Sequence, residues 1–516
     1  MNNTLLKNNL EALALRNRGL ADRLAHSISD TSYAGICISK NGCPVPIAAD
    51  GTSYNSLYDP LKEARQLIKS IKSDTFIIFA GIGGAFHVRE YLTQFPESAC
   101  AIAESSIPAF RSLLEIIDIS DILSNKHVTI IPDCTDNSIF INLPGMYIPA
   151  LHGDFFLLPL RAWENRNQQA FSSFTIQIKQ AIEKISADYS VQAHFGKVWL
   201  RNCIMNLKMA ETCQGNIPVF DYNKTAIIAG AGPSLEDHLD ELKNERERYV
   251  IITTDTAFST LSDSGIIPDV FVSIDGQSIS CDHVRHSLPC TMTVVLDVCG
   301  NNAIARRAIT SGVNLIFADG GHPLATYASA FSPLPSIDTS SGTVTLAAYD
   351  IAHSLGLKDI RIIGADFAYT FGKPYARGTY LSPLFNNSSN RFSSSESLYC
   401  SLMFRTPVTR IETSGGLTYT TATLERYAVE AKTIRGTTRW THDSFHPFPF
   451  DVFFSQYQES LQNLLTNPKR NDPVLFTILP FFAWNTRLKA GRTSQKVFNN
   501  TIQLALDLIA GYTVLL

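Results

Sequence analysis

The sequence predicts an α/β protein with a Rossmann-like amino-terminal domain, a central doubly wound parallel sheet and a helical carboxy-terminal region. Three observations carry this. Short apolar runs of strand length alternate with helix-length amphipathic segments in two separate stretches of the chain. A glycine turn directly follows a strand-like run in each stretch, GIGG after TFIIFA and GAG after TAIIA. The chain has 516 residues, which at about 100 to 200 per domain makes about three domains. The boundaries read as 1–190, 191–445 and 446–516.

In chain order, Leu6, Leu10, Leu13, Leu20 and Leu24 recur at helical spacing and predict an amphipathic leading helix over the first 30 or so residues. AGICIS and PVPIA flank Asn41-Gly42, which accepts the positive φ of a tight hairpin turn. Asp59-Pro60 places an N-cap before a proline at the first helical position and opens LKEARQLIKSIK. The first alternation comes next, as TFIIFA, GIGGAFHVREYL, ACAIAE, PAFRSLLEII and HVTIIP. A helical connector, HFGKVWLRNCIMNLKMAE, leads to the second alternation, whose strands are TAIIAG, YVIITT, VFVSI, MTVVL, VNLIF and DIRIIG. From about 376 to 420 the chain turns to Ser, Asn, Thr and Gly, predicting a long loop of the kind that serves as a lid. LERYAVEAKTIRG, SQYQESLQNLL and the carboxy-terminal segments beyond them read as helices.

Composition excludes several classes. Lys+Arg 43 against Asp+Glu 47 leaves a net charge of −4, so the chain lacks the basic field of a non-specific nucleic-acid binder. Hydrophobic residues at 45% and charged residues at 17% describe a globular chain. Polar groups interrupt every apolar stretch in the first nineteen residues, and the apolar run TIQLALDLIAGYTVLL is short and contains Asp507, so neither end reads as a signal peptide or a membrane span. A cytoplasmic protein without a membrane partner is expected. None of the ten cysteines pairs at the spacing of a tetrahedral zinc site, so no metal held by thiolates is expected.

The most informative segment is TAIIAGAGPSLEDHL. A buried strand runs into Gly230-Ala231-Gly232, and Pro233 then starts a helix. The glycines permit close backbone approach, and free N–H groups of Ser234 and Leu235 at a helix start would favour an anion, so Gly230 to Leu235 reads as a phosphate seat. Leu235 stands where a dinucleotide fingerprint wants its third glycine, and no Lys comes after it as in a P-loop. Three other strands end in an aspartate: Asp255, Asp275 and Asp366. At the carboxyl edge of a doubly wound sheet these converge on the 230–235 turn, where a carboxylate can hold a hydroxyl or a cation such as Mg²⁺, or move a proton. Singly, each is better read as an N-cap for the next helix. Ser340-Ser341-Gly342-Thr343 opens the helix TVTLAAYDIAHSLG and offers a second helix start. In the first half, GIGG followed by Glu104 has the form of an S-adenosylmethionine or dinucleotide site, or of a Rossmann-like scaffold without cofactor. The second reading is preferred, because the second run already accounts for the chemistry.

GAGPSL, TTDTAF, GIIPDVFVSIDGQ and SSGTVTLAAYDIAHSLGLKDIRIIGADFAY together resemble the motility-associated factor glycosyltransferases, with their MptE-like central domain, and their core is similar to small bacterial sialyltransferases. The resemblance spans most of the chain. It implies transfer of a nonulosonic acid of the pseudaminic or legionaminic type from a CMP-activated donor to Ser or Thr of flagellin. It further implies that Gly230, Gly232, Pro233, Ser234, Leu235, Ser341 and Gly342, with Ala231 and Thr254 in the same motifs, bind the CMP-sugar, and that Asp255 and Asp366 are catalytic; the chemistry of the transfer adds Tyr375 to the sugar-binding residues and Asp275 to the catalytic ones. In the family a His often succeeds the last strand, where this chain has Lys373-Pro374-Tyr375. Such a transfer needs donors on the leaving phosphate, for which Tyr375 and Tyr380 stand ready, and a base for the acceptor hydroxyl. Asp275, Asp366, His322 and His442 are the candidate bases. A pterin pyrophosphokinase holding Mg-ATP, or a non-catalytic flagellin-binding protein, is the alternative.

Overall fold

The computed structural model describes residues 3–72, 75–136, 138–413, 416–436, 440, 446–466, 472–488 and 495–514. They form two compact units, one of residues 1–194 with 482–500 and one of residues 195–481 with 501–516. The carboxy-terminal region is helical as the sequence predicts, with helices Phe450–Thr466, Pro473–Thr477, Leu479–Leu488 and Gln495–Val514. No described helix is long and apolar enough to cross a membrane.

The first unit opens with two helices, Asn3–Ala14 and Arg18–His26, where the leucine spacing predicts one. The break is local chemistry: Asn17 caps the second helix by accepting from Leu20 N at 3.0 Å. Strands β1 (Gly35–Ile38) and β2 (Pro44–Ile47) pair antiparallel around Gly42, whose φ of 83° needs a glycine. Asp59 caps the helix Pro60–Ile68 as its sequence predicts. The parallel sheet holds β3 (Thr75–Ala80), β4 (Cys100–Ala103), β5 (Val128–Ile131) and β6 (Asp154–Pro159) in the order β5-β4-β3-β6. Strand β6 is not among those the sequence predicts. It is an edge strand that ends on Pro159, and a proline demotes an apolar run as a strand signal although an edge tolerates it.

In this sheet the chain leaves β3 in one direction and returns to its other side as β6, so the GIGG turn sits at a topological switch point. The place of a ligand is taken by the protein itself. A Cβ on Gly81 would overlap the ring of Trp163, and one on Gly83 would lie 2.6 Å from Leu160. Glu104 is buried and accepts from the Tyr33 hydroxyl at 2.6 Å, Ile82 N at 3.0 Å, Ser105 N at 3.1 Å and Trp163 Nε1 at 3.1 Å. Burial pushes its carboxyl above the usual range while these donors pull it back. Glu104 thus fastens the turn to the core.

The second unit carries β7 (Thr225–Ala229), β8 (Tyr249–Thr254), β9 (Val270–Ser273), β10 (Thr293–Asp297), β11 (Asn314–Ala318) and β12 (Ile360–Ile363) in an all-parallel sheet, order β11-β10-β9-β8-β7-β12. All six are strands the sequence predicts. Strands β7 to β11 are buried on both faces, which is what their continuous apolar runs encode, while the edge strand β12 exposes Arg361. The region expected as a long loop is folded: helices Leu381–Ser388 and Ser395–Met403 precede β14 (Thr409–Thr413) and β15 (Gly416–Thr420), which pair with the short β13 (Tyr369–Thr370) in the order β13-β15-β14. Ser and Thr are frequent in caps and hairpins as well as in loops, and Ser394 and Thr421 serve here as N-caps.

Trp163→Ala removes a fully buried ring and one bond to Glu104, and is expected to cost about 3–5 kcal/mol in the unfolding of the first unit. A urea titration that leaves this transition unmoved would contradict the assignment of Trp163 as the plug of the turn.

Candidate functional site

The site of the second unit lies where the sheet order reverses, between β7 and β12. Gly230 N donates to Ile363 O at 2.8 Å and Gly232 N to Gly364 O at 2.7 Å, so the two strand ends are zipped through the turn. A Cβ on Gly230 would meet Gly364 O at 2.5 Å, and one on Gly232 would overlap Asp366 Oδ2. These glycines make room for the neighbouring strand end, which corrects the expectation that they make room for a ligand. The donors expected to be free are also engaged. Ser234 N and Oγ both donate to Asp366 Oδ2, at 3.1 and 2.9 Å, and Leu235 N donates to Gly232 O. Pro233 opens a 3₁₀ turn, Pro233–His238, in place of an α-helix. The seat read for an anion is filled by the chain's own carboxylate, so Asp366 caps the GAGPSL turn from across the switch. Phe367, next in sequence, holds φ at 46°, a strained backbone for a non-glycine residue.

From this turn the segment 371–380 crosses the ends of β7 and β8. Ala376 N donates to Ala231 O at 2.8 Å, Glu236 accepts from Arg377 N at 2.9 Å and from Lys373 Nζ, and Thr260 Oγ1 donates to Arg377 O at 2.7 Å. Held this way, Tyr375 and Tyr380 come over Asp255. Asp255 is buried, with Oδ2 accepting from Ser273 Oγ at 2.8 Å and Oδ1 from Thr256 N at 2.7 Å. Its Oδ1 lies 3.4 Å from Nδ1 of His283, whose ring stands 4.5 Å from that of Tyr380. Tyr375, 38% exposed as a residue, has its hydroxyl pushed up to about 12 by burial, with Tyr380, Tyr369 and Asp255 adding to it. Tyr380 is raised too, by burial against a partial offset from the charge of Arg405. Both phenols stay protonated near neutral pH and remain donors.

His283 and Arg405 have no signal in the sequence. His283 lies in a 3₁₀ turn, Ser278–His283, eight residues after Asp275, and no spacing rule ties it to Asp255. The other expected residues have local roles. Thr254 caps the helix Asp255–Asp263, its hydroxyl donating to Ala229 O at 3.2 Å. Asp275 closes a turn on Gln277 N and Nε2. Ser341 accepts weakly from Thr343 N and lines a separate recess of about 320 Å³ with Asp350 and Glu430, and the Gly342 carbonyl accepts from Tyr427. His322 caps the helix Pro323–Ala328 and packs edge-on to Trp199. His442 lies outside the described residues. Two further strand-end carboxylates, Asp297 and Asp319, are absent from the sequence expectation although MTVVLD and VNLIFAD display them. Asn202 and Asn206 of the connector helix are buried and donate to the carbonyls of Gly276, beyond β9, and of Val298, Cys299 and Gly300, just beyond β10.

Ser234→Ala removes one charge-assisted bond and is expected to destabilise by about 1–3 kcal/mol, whereas Gly232→Ala drives a Cβ into Asp366 and should cost more. Equal melting temperatures for both would contradict the zipped turn. Burial, with Asp319 adding, pushes Asp297 up to about 7. The native carboxyl then keeps a proton that the unfolded chain loses near pH 4, so stability falls as pH rises from about 4 to 7. Asp297→Asn should lose less stability than the parent between pH 5 and 8 in urea unfolding, and parallel curves would contradict it.

Comparison with known proteins bears on this geometry. A family model described as 6-hydroxymethylpterin diphosphokinase MptE-like matches residues 200–372, the span of the parallel sheet and its switch point. An uncharacterized protein of Treponema pallidum (strain Nichols) is 39% identical over 232 residues, covering 45% of this chain and 80% of its own length. A second uncharacterized protein of that organism is 36% identical over 167 residues, covering 32% of this chain and 78% of its own. Among solved structures, the Maf glycosyltransferase from Magnetospirillum magneticum AMB-1 superposes with a TM-score of 0.57 at 13% identity, over 99% of this chain and 91% of that one. At that identity the superposition establishes a shared fold. Residues 200–372 form an MptE-like domain, the chain shares the fold of the Maf glycosyltransferase, and it belongs to the same family as the two Treponema pallidum proteins.

Proposed function

We propose that this protein is a glycosyltransferase that moves a nonulosonic acid from a CMP-activated donor to a Ser or Thr hydroxyl of flagellin. The observation that carries the reading is the Asp255–His283–Tyr380 cluster beside the switch point, roofed by Tyr375. Displacement at the anomeric carbon breaks the bond to the CMP phosphate oxygen, forms a bond to the acceptor oxygen and releases one proton. His283, with Asp255 Oδ1 and Thr256 Oγ1 each 3.4 Å from its Nδ1, is arranged to take that proton on Nε2. The carboxylate fixes the tautomer and supports the imidazolium that forms. Tyr375 and Tyr380 supply hydroxyl donors for the departing phosphate, and Arg405 adds positive charge there. The backbone of Gly230–Leu235, fixed by Asp366, walls the nucleotide side, with Ser341 and Gly342 beyond Phe367.

This reading shifts the base from Asp275 and Asp366, whose oxygens hold Gln277 and Ser234, to a histidine supported by Asp255.

His283→Gln and Asp255→Asn each remove base function while keeping size, and a general base contributes typically 10² to 10⁴-fold. Both are expected to slow sugar transfer to flagellin by that factor, with CMP affinity in calorimetry held within about threefold and the melting temperature nearly intact. Wild-type rates in both variants would overturn the assignment. Loss of CMP binding together with rate would move these residues from chemistry to binding.

A further inference from the structure

Beside the reactive cluster opens a groove of about 820 Å³, and we infer that it seats an acidic stretch of the acceptor protein, reading carboxylates next to the hydroxyl to be modified. The inference rests on the transferase reading above. The groove begins at the cluster: Tyr380 lines it, and Cys281 and Asp282 on its wall belong to the same 3₁₀ turn as His283. An occupant is therefore led to the base.

The walls are cationic. Arg306 donates to Asn302 Oδ1 at 2.7 Å, and Arg307 donates to the carbonyls of Cys281 and Val284. Both side chains are fixed by neutral acceptors, and among the described residues neither meets a carboxylate. Their charge is pre-oriented and uncompensated, the state from which a guanidinium gains most by meeting an external carboxylate. Arg285 and His286 stand on the same wall and share one aspartate, Asp263, which lies 2.7 Å from His286 Nε2 and 4.0 Å from Arg285. Asp282 is the groove's own acidic residue. The basic groups exceed the acidic ones even when both aspartates are counted.

The extent of the groove and its surroundings favour a protein segment over a small anion. Leu384 lines the groove and is 43% exposed, and Pro383, Leu288 and Val284 line it as well. An exposed apolar margin on a charged groove marks a surface that meets protein. A lone phosphate or sugar carboxylate has no use for this apolar margin.

The test measures binding apart from transfer, so that failure of the groove and failure of the transferase assignment stay distinguishable. A fluorescein-labelled hexapeptide with three glutamates around one serine is titrated with the full chain by anisotropy, beside a counterpart with three lysines. The acidic peptide is expected to bind and to weaken as salt is raised, and the basic one not to bind. The Arg306→Gln, Arg307→Gln double variant should weaken the acidic peptide about tenfold or more while leaving CMP affinity unchanged. If that variant unfolds, Arg285→Gln and the salt titration carry the same comparison. Equal binding of the two peptides, no binding of either, indifference to the arginine variants, or displacement by millimolar inorganic phosphate with no peptide preference would each overturn the proposal.

Discussion

The second unit depends on a contact between two strand ends that allows no side chain between them. Where β7 and β12 meet, Gly230 and Gly232 lie against Gly364 and Asp366 so closely that a methyl group at either position would overlap backbone or carboxylate. The contact is a consequence of the topology. The chain fans out from β7 toward β11 and returns on its other side, so the first and last strands must be joined at their carboxyl ends, and backbone bonds with one aspartate join them. Everything chemical in this unit is positioned from there. The 371–380 segment leaves β12, is pinned to Ala231 and Glu236, and is thereby carried over Asp255.

The two units solve the same geometric problem with opposite consequences. Each has a glycine turn at the switch point of a parallel sheet. In the first, Trp163, Leu160 and Glu104 fill the space such a turn leaves, and the result is a packed core. In the second, the anion position at the turn is filled by Asp366, and a buried carboxylate, Asp255, lies near a histidine and two tyrosines.

The strands of the second sheet are legible in the sequence because burial on both faces forces unbroken apolar runs, and the aspartates at their ends mark where the crevice lies. What the sequence hides has identifiable causes. A Gly-x-Gly turn looks alike whether a phosphate or a neighbouring aspartate occupies it, so Ser234 and Leu235 read as free when Asp366, 132 residues away, engages one of them. His283 and Arg405 reach the site through tertiary packing from a 3₁₀ turn and a loop, and no local periodicity announces that. The Ser- and Thr-rich stretch after 376 reads as a loop because capping and hairpin chemistry uses the same residues.

The proposed transfer requires the donor nucleotide to bind between the GAGPSL turn and the Asp255–His283–Tyr380 cluster. A crystal structure of the chain with CMP tests this most directly. The expected result is a phosphate within hydrogen-bond distance of the Tyr375 and Tyr380 hydroxyls, with the nucleoside along Gly230–Leu235. A phosphate bound in the arginine groove, or at the GIGG turn of the first unit, would contradict it.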